Sequence, residues 1–316
     1  MGKGRHRDAF ESLSQLRRER IAAARDCFYQ YVLLQEEGSY EIPTWKRIIQ
    51  MFTIRRNRNA VIGSWIVMFM QQFCGINVIA YYSSTIFKQA GFSEVSALLA
   101  SWGFGMVNFL FAIPAILTID TFGRRNLLLF AFPLMCAFLL VTGFGFLIHD
   151  RQGQLAMVAV GIYLFSCVYS TSEGPVPFTY SGEAFPLYIR DLGLSWATAT
   201  CWFFNFILAF TWPKMLDSMT PTGAFGFYAA WNAIGFFLVL WFLPETKSLT
   251  LEELDDIFSV PMYEHAVYRT RTFFNGIQRH VLRRKDVKDP PPIYTHQRMA
   301  VTNPEWNDKA EVDHVE

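Results

Sequence analysis

The sequence predicts an all-α membrane protein, with six transmembrane helices and cytosolic helices before and after them. Two observations carry this. Of the 316 residues 52% are hydrophobic and only 17% are charged, and the charges gather in the first 58 residues, the last 72 and short clusters between. The stretches between those clusters are each long enough for an α-helix to cross a bilayer, which needs about 20 residues. The alternative, six apolar core helices of a water-soluble protein in succession without a polar stripe, runs against the same length rule. A formal net charge of +1 points to no nucleic acid and no acidic partner.

Residues 1–59 read as a cytosolic helical segment. The opening MGKGRHRDAFES has no apolar core, so it does not read as a cleaved signal peptide. His6 stands where myristoylation would want serine or threonine. Residues 8–37 predict a charged amphipathic helix stopped by Gly38-Ser39. A second helix begins after Pro43, with Trp45, Ile48, Ile49 and Phe52 on one side.

The membrane domain, 60–244, divides into apolar runs at 60–87, 95–119, 126–148, 152–182, 192–213 and 218–244. The fourth carries Glu173 and then Gly174-Pro175-Val176-Pro177, which must break or kink a helix. Orientation follows from basic residues near the span ends. One side has Lys46, Arg47, Arg55, Arg56, Arg58, Arg124, Arg125, Arg190 and Lys247, whereas the other has only Lys88, Arg151 and Lys214. Nine against three puts both termini in the cytosol. After Pro244 a cytosolic region, 245–282, opens with a capping box, Thr250-Leu251-Glu252-Glu253. Residues 283–316, with Pro290-Pro291-Pro292 and many charges, predict a disordered tail. None of the five cysteines has the spacing of a metal site or an evident disulfide partner.

Side-chain amides recur near the centres of four spans: Gln71 and Gln72, Asn108, Asn205 and Asn232. Amides are costly in hydrocarbon unless hydrogen-bonded. A single one reads as glue between helices, but repetition at one depth points to a shared polar cavity at the midplane. At 100° per residue Gln71, Gln72 and Asn77 point in three directions on a straight helix, so they converge only if the helix breaks near Gly75. Trp202 and Asn205, three apart, share a face. Amides and aromatics without a midplane cation suit a neutral polyhydroxylated ligand, a sugar or polyol. A second constellation is cytosolic. Asp120, Arg124 and Arg125 flank a tight turn, Glu183 and Arg190 follow the fourth span, and Glu245 follows the sixth. Positive-inside flanking accounts for the arginines alone; acidic residues at each neighbouring span end add the prospect of ion pairs that latch the cytosolic side.

Together QQFCGIN…YYS, DTFGRR, GPVPF…E and PETKS, in this order, resemble the sugar porter family of the major facilitator superfamily, with a first span most similar to the fungal sugar transporters. The resemblance covers about 8–260. It implies the central cytosolic domain and the second six-helix half of a twelve-span fold, without the first half and its proton-coupling acid. It also implies sugar contacts at Gln71, Gln72, Asn77, Asn108 and Asn205, an aromatic of the site at Trp202, and Phe178 where the family usually has tryptophan. Arg124, Arg125, Glu183, Arg190 and Glu245 match its cytosolic ion-pair network, and Ser248 stands where glycine is usual. The expected function is hexose transport by alternating access, coupled to protons in the intact family member, at the plasma membrane. The partners would be the sugar, protons, the lipid bilayer and a complementary N-terminal half or another transporter. Two other readings stay open: a truncated half that does not transport, and a sugar-binding regulatory or sensor protein. No cofactor, metal or enzyme activity is expected.

Overall fold

A computed structural model describes residues 5–17, 19–36, 42–280, 283 and 290–294. Within them every regular element is a helix. In chain order these are α1 (His6–Leu16), α2 (Arg20–Glu36), α3 (Thr44–Thr53), α4 (Arg55–Phe73), α5 (Ile76–Gln89), α6 (Glu94–Phe122), α7 (Arg124–Gly145), α8 (Arg151–Thr171), α9 (Val176–Ala184), α10 (Arg190–Phe242), α11 (Leu251–Ser259) and α12 (Met262–His280). A single 3₁₀ turn, Leu187–Ile189, precedes α10.

The single amphipathic helix expected over 8–37 is two. Arg17 takes an extended backbone, and its guanidinium turns to Asp26 at 2.7 Å, so α2 folds back along α1. The expected stop at Gly38-Ser39 lies outside the described residues. Helix α3 docks through buried Met51 and through Arg47, which donates to the Tyr188 carbonyl at 2.8 Å.

The first apolar run forms α4 and α5, broken at Gly75, whose φ of 100° is open to glycine and strained for other residues. The break is packed as well as permitted. A Cβ there would lie 3.3 Å from Tyr228, and Asn232 donates to the Cys74 carbonyl at 3.0 Å, a carbonyl that the end of α4 leaves without a helical donor. Helix α4 begins at Arg55, ahead of the apolar run, because Arg56, Asn57 and Asn59 are buried and bond to Asp255, Tyr188 and the carbonyls of Ala184, Phe258 and Val260 rather than facing lipid. Gly123, at φ 89°, turns α6 into α7. The GPVP stretch separates α8 from α9.

The expected gap at 214–217 is helical; Lys214 and Asp217 continue the helix on its exposed side. The reversal comes at Thr220 (φ 61°, ψ 161°). Trp212 lies 5.8 Å, ring to ring, from both Phe225 and Tyr228. On a straight helix rising 1.5 Å per residue those pairs would be about 20 Å apart or more, so α10 crosses twice. Five long apolar helical segments therefore make six crossings.

Beyond Pro244 the capping box closes as expected: Thr250 accepts from the Glu253 amide at 3.3 Å and Glu253 returns to the Thr250 amide at 2.8 Å. The disordered tail expected over 283–316 is corrected at one point. Tyr294 is fully buried, 5.7 Å beneath the Arg269 guanidinium and against the rings of His265 and Tyr268. Its hydroxyl accepts from Arg269 at 3.4 Å. A tyrosine ring following three prolines has enough apolar area to dock where the charged residues around it do not. Apart from 283 and 290–294, that stretch lies outside the described residues.

Candidate functional site

The break at Gly75 gathers amides from both sides of it. Gln72 is the hub: its Oε1 accepts from Asn77 Nδ2 in a short bond and from Asn205 Nδ2 at 3.0 Å, while its Nε2 donates to Cys201 Sγ at 3.0 Å. Cys201 Sγ donates to Gln71 Oε1 at 3.4 Å, and Gln71 Nε2 donates to the carbonyls of Glu173 and Gly174 at 3.4 and 3.2 Å. At the other end Tyr81 donates to Asn205 Oδ1 at 3.2 Å. One continuous chain of hydrogen bonds thus runs from a tyrosine that is half exposed to the unwound link between α8 and α9. Of the amides that looked costly in hydrocarbon, Gln72 and Asn205 satisfy each other, and Gln71 is satisfied through Cys201 and two backbone carbonyls.

Of the expected sugar contacts, the structure joins Gln71, Gln72, Asn77 and Asn205. Asn108 sits apart on α6, where its Oδ1 accepts from Ser170 of α8 in a short bond. Phe178 and Trp202 present open rings, 46% and 64% exposed, on α9 and α10. The cluster is therefore buried behind and open in front. Asn232 serves the backbone at Cys74 and Tyr228 instead. Two members were missed from the sequence, Cys201 and Tyr81. Each had a signal, being four residues, one helical turn, from Asn205 and Asn77 respectively. A cavity of about 420 Å³ lies elsewhere, between α6, α7 and α8.

On the face that carries most of the basic residues Arg124 Nη2 pairs with Glu183 at 2.7 Å and with Asp120, one turn back, at 2.9 Å. Thr246 donates to the other Glu183 oxygen at 2.7 Å. The remaining expected pairs take another form. Glu245 binds the backbone: its carboxylate accepts from the amides of Arg124 (2.9 Å), Arg125 (3.1 Å), Thr246 (3.1 Å) and Lys247 (3.2 Å). A carboxylate at a helix N-terminus meets both the unpaired N–H groups and the positive end of the helix dipole. Arg125 donates to the Leu240 carbonyl and Arg190 to the Phe185 carbonyl, each at 3.1 Å. Arg56 joins the same face through Asp255 and the Ala184 carbonyl, both at 2.6 Å.

Behind this cluster His265 Nδ1 donates to the Trp241 carbonyl at 3.0 Å, which leaves Nε2 as an acceptor toward Arg269 at 3.4 Å. Burial first, and then the Arg269 charge, push the imidazole down to about 3, and burial pushes the Tyr294 phenol up.

A family model described as "Sugar (and other) transporter" matches residues 1–258. The chain belongs to the sugar transporter family. Among its relatives, myo-inositol transporter 1 of Cryptococcus neoformans var. grubii is 34% identical over 229 residues, 68% of this chain and 40% of that protein. The arabinose-proton symporter of Escherichia coli strain K12 is 33% identical over 266 residues, 80% of this chain and 53% of the symporter. The solved proton:xylose symporter XylE, bound to 6-bromo-6-deoxy-D-glucose, superimposes with a TM-score of 0.68 at 26% identity, over 82% of this chain and 53% of XylE. The chain spans about half the length of the curated relatives it matches. Those relatives are transporters rather than enzymes, and the major facilitator fold that the motifs implied is the fold of this chain.

Proposed function

We propose that this chain supplies one half of a monosaccharide transporter that works by alternating access and is coupled to protons. Gln72 carries the reading. It is a buried hydrogen-bond hub that joins Asn77, across the helix break, to Asn205 and Cys201 of α10, in a chain whose outer end, Tyr81, is exposed, as are the rings of Phe178 and Trp202. Such a surface offers donors and acceptors to sugar hydroxyls and ring faces to C–H groups. The relatives that move inositol, arabinose and xylose support the substrate class.

In this reading Gln71, Gln72, Asn77 and Asn205 hold hydroxyls, Asn108 adds one from α6, and Phe178 and Trp202 pack against the sugar. A ring at 178 without the indole N–H donor removes one hydrogen bond that a tryptophan there would give, which bears on the choice among sugars. A complementary N-terminal half faces the open side. Asp120, Arg124, Glu183 and Thr246 form the cytosolic latch, helped by Glu245, Arg125 and Arg190 acting on backbone groups. The excess of basic residues on that face supports a cytosolic side for both termini, and the plasma membrane is the proposed site of action.

Gln72→Ala tests it. In lipid nanodiscs, quenching of tryptophan fluorescence by a hexose should weaken by about 1–3 kcal/mol, the cost of leaving its partners unsatisfied. Unchanged hexose affinity in a folded variant would take Gln72 out of the site.

A further inference from the structure

The amide chain ends against an acid that it does not satisfy. Glu173 lies in the unwound link between α8 and α9, fully buried, and neither carboxyl oxygen has a hydrogen-bond partner. Among the described residues it is the one acid placed mid-span; Asp120, Glu183, Asp191 and Asp217 stand at span ends. The titratable groups facing it are the Cys74 thiol from the α4–α5 link and the Tyr169 hydroxyl from α8, with the Cys201 thiol of α10 one step further off behind Gln71. Among the described residues no lysine or arginine acts on it.

An ionised carboxylate without a counter-ion or donor costs several kcal/mol in such a place, and a buried group in that position takes a proton instead. A glutamine of the same shape would fill the space without that cost, and an ionisable residue inside a membrane bundle is functional by default. The backbone of Glu173 is also the far terminus of the sugar cluster, through Gln71. On the other side, the cavity of about 420 Å³ between α6, α7 and α8 runs from Phe122 and Asn126 at the cytosolic turn to Thr171 and Ser172, the residue next to Glu173.

We propose that Glu173 is a proton-binding site of this half, linked to sugar occupancy through Gln71. The step is a proton exchange: the Glu173 carboxylic acid gives its proton to water entering the α8–α9 link and becomes a carboxylate, and the reverse reloads it, with no electron moved. A sugar that competes for the Gln71 amide changes the hydrogen bonding at the peptide that carries Glu173, and so changes how readily the proton leaves. The coupling rests on the sugar-site reading above; the proton site itself does not.

The test is pH-difference infrared spectroscopy of the full chain in lipid nanodiscs, first without sugar. The expected result is a protonated-carboxyl carbonyl band at neutral pH that converts to carboxylate on alkaline titration and is missing in Glu173→Gln. A band absent from the wild type, or one that never titrates while the protein stays folded, overturns the proposal. Carbodiimide labelling of the wild-type chain, mapped by mass spectrometry, reads the same proton without a variant. Glu173 should be modified at neutral pH and protected at alkaline pH, and an unlabelled Glu173 under all conditions counts against it. Adding a hexose should then move the titration midpoint by at least threefold in proton concentration. A bound hexose that leaves the midpoint fixed refutes the coupling, whereas a hexose that fails to quench tryptophan fluorescence refutes the sugar site and leaves the proton site to stand on its band.

Discussion

Glu245→Gln is the substitution that separates two ways of holding the Arg124–Glu183 face together. If that face were closed by side-chain ion pairs, Glu183, which meets the Arg124 guanidinium directly, would matter most. The geometry gives Glu245 the larger share, because its carboxylate serves four backbone amides between 2.9 and 3.2 Å, two of them at the start of α7. Glutamine keeps the shape but has one acceptor atom. With the oxygen toward Arg124, Thr246 and Lys247, the NH₂ group faces the Arg125 amide donor to donor; flipped, three amides lose their acceptor. The smaller loss is one charge-assisted hydrogen bond, about 1.5–3 kcal/mol. To it is added the missing negative charge at a helix N-terminus, about 0.3–1 kcal/mol. The sum is about 2–4 kcal/mol, a thirtyfold to several-hundredfold shift in the folding equilibrium. Unfolding in mixed micelles with increasing SDS, followed by tryptophan fluorescence, measures it. A Glu245→Gln loss below about 0.5 kcal/mol, the level of an ordinary surface change, would show that the carboxylate does not cap α7. A Glu183→Gln loss larger than that of Glu245→Gln would return the leading role to the ion pair.

Three further outcomes are expected. Gly123→Ala should cost at least about 3 kcal/mol in the same assay, because φ 89° with ψ 157° is nearly closed to other residues and the new Cβ would sit 2.6 Å from Glu245; a loss under 1 kcal/mol would contradict the turn geometry. Ser248→Gly should stabilise by up to about 1 kcal/mol, since Ser248 is exposed and holds φ 53°; no gain would mean that the serine is not strained there. Protection of the α12 amides against hydrogen exchange should fall with acidification. His265 is neutral in the fold with its pKa pushed down to about 3 from an ordinary 6.5, so the undocked state binds more protons between those values and docking weakens as pH drops through that window, by up to about 1.4 kcal/mol per unit. His265→Gln should flatten the dependence, and an unchanged slope would locate the sensitivity elsewhere.

The sequence made the apolar spans legible because length and hydrophobicity are local properties, and it made the Gly75 break legible because three amides cannot converge on a straight helix. The grouping of Gln71, Gln72, Asn77 and Asn205 came from the family resemblance, since Asn205 stands on another span and no helix geometry relates it to the other three. What it left open depends on distance along the chain. The turn at Thr220 could not be told from the charged positions before it, since Lys214 and Asp217 are as compatible with an exposed helix end as with a loop. Glu245 looked like a partner for an arginine, and only the position of a helix terminus 120 residues earlier shows that it binds peptide groups. Tyr294 sits in a charged, proline-rich stretch whose composition says nothing of one buried ring. Cys201 reads as an apolar residue until Gln71 and Gln72 are seen on either side of it.

The contacts of Asn59 set a condition on biosynthesis. Its amide donates to the carbonyls of Phe258 and Val260 at 2.7 and 2.9 Å, 199 and 201 residues later, and Arg56 reaches Asp255 over a similar span. A ribosome adding about 5–20 residues per second takes roughly 10–40 s to supply those acceptors. For that interval the base of α4 is already made while Asp255, Phe258 and Val260 are not, so Arg56 lacks its acid and Asn59 both of its acceptors, and they face water or lipid headgroups. The inner face of this domain is therefore the last part to close, and a nascent chain arrested before residue 258 should hold its spans with that face still unsealed.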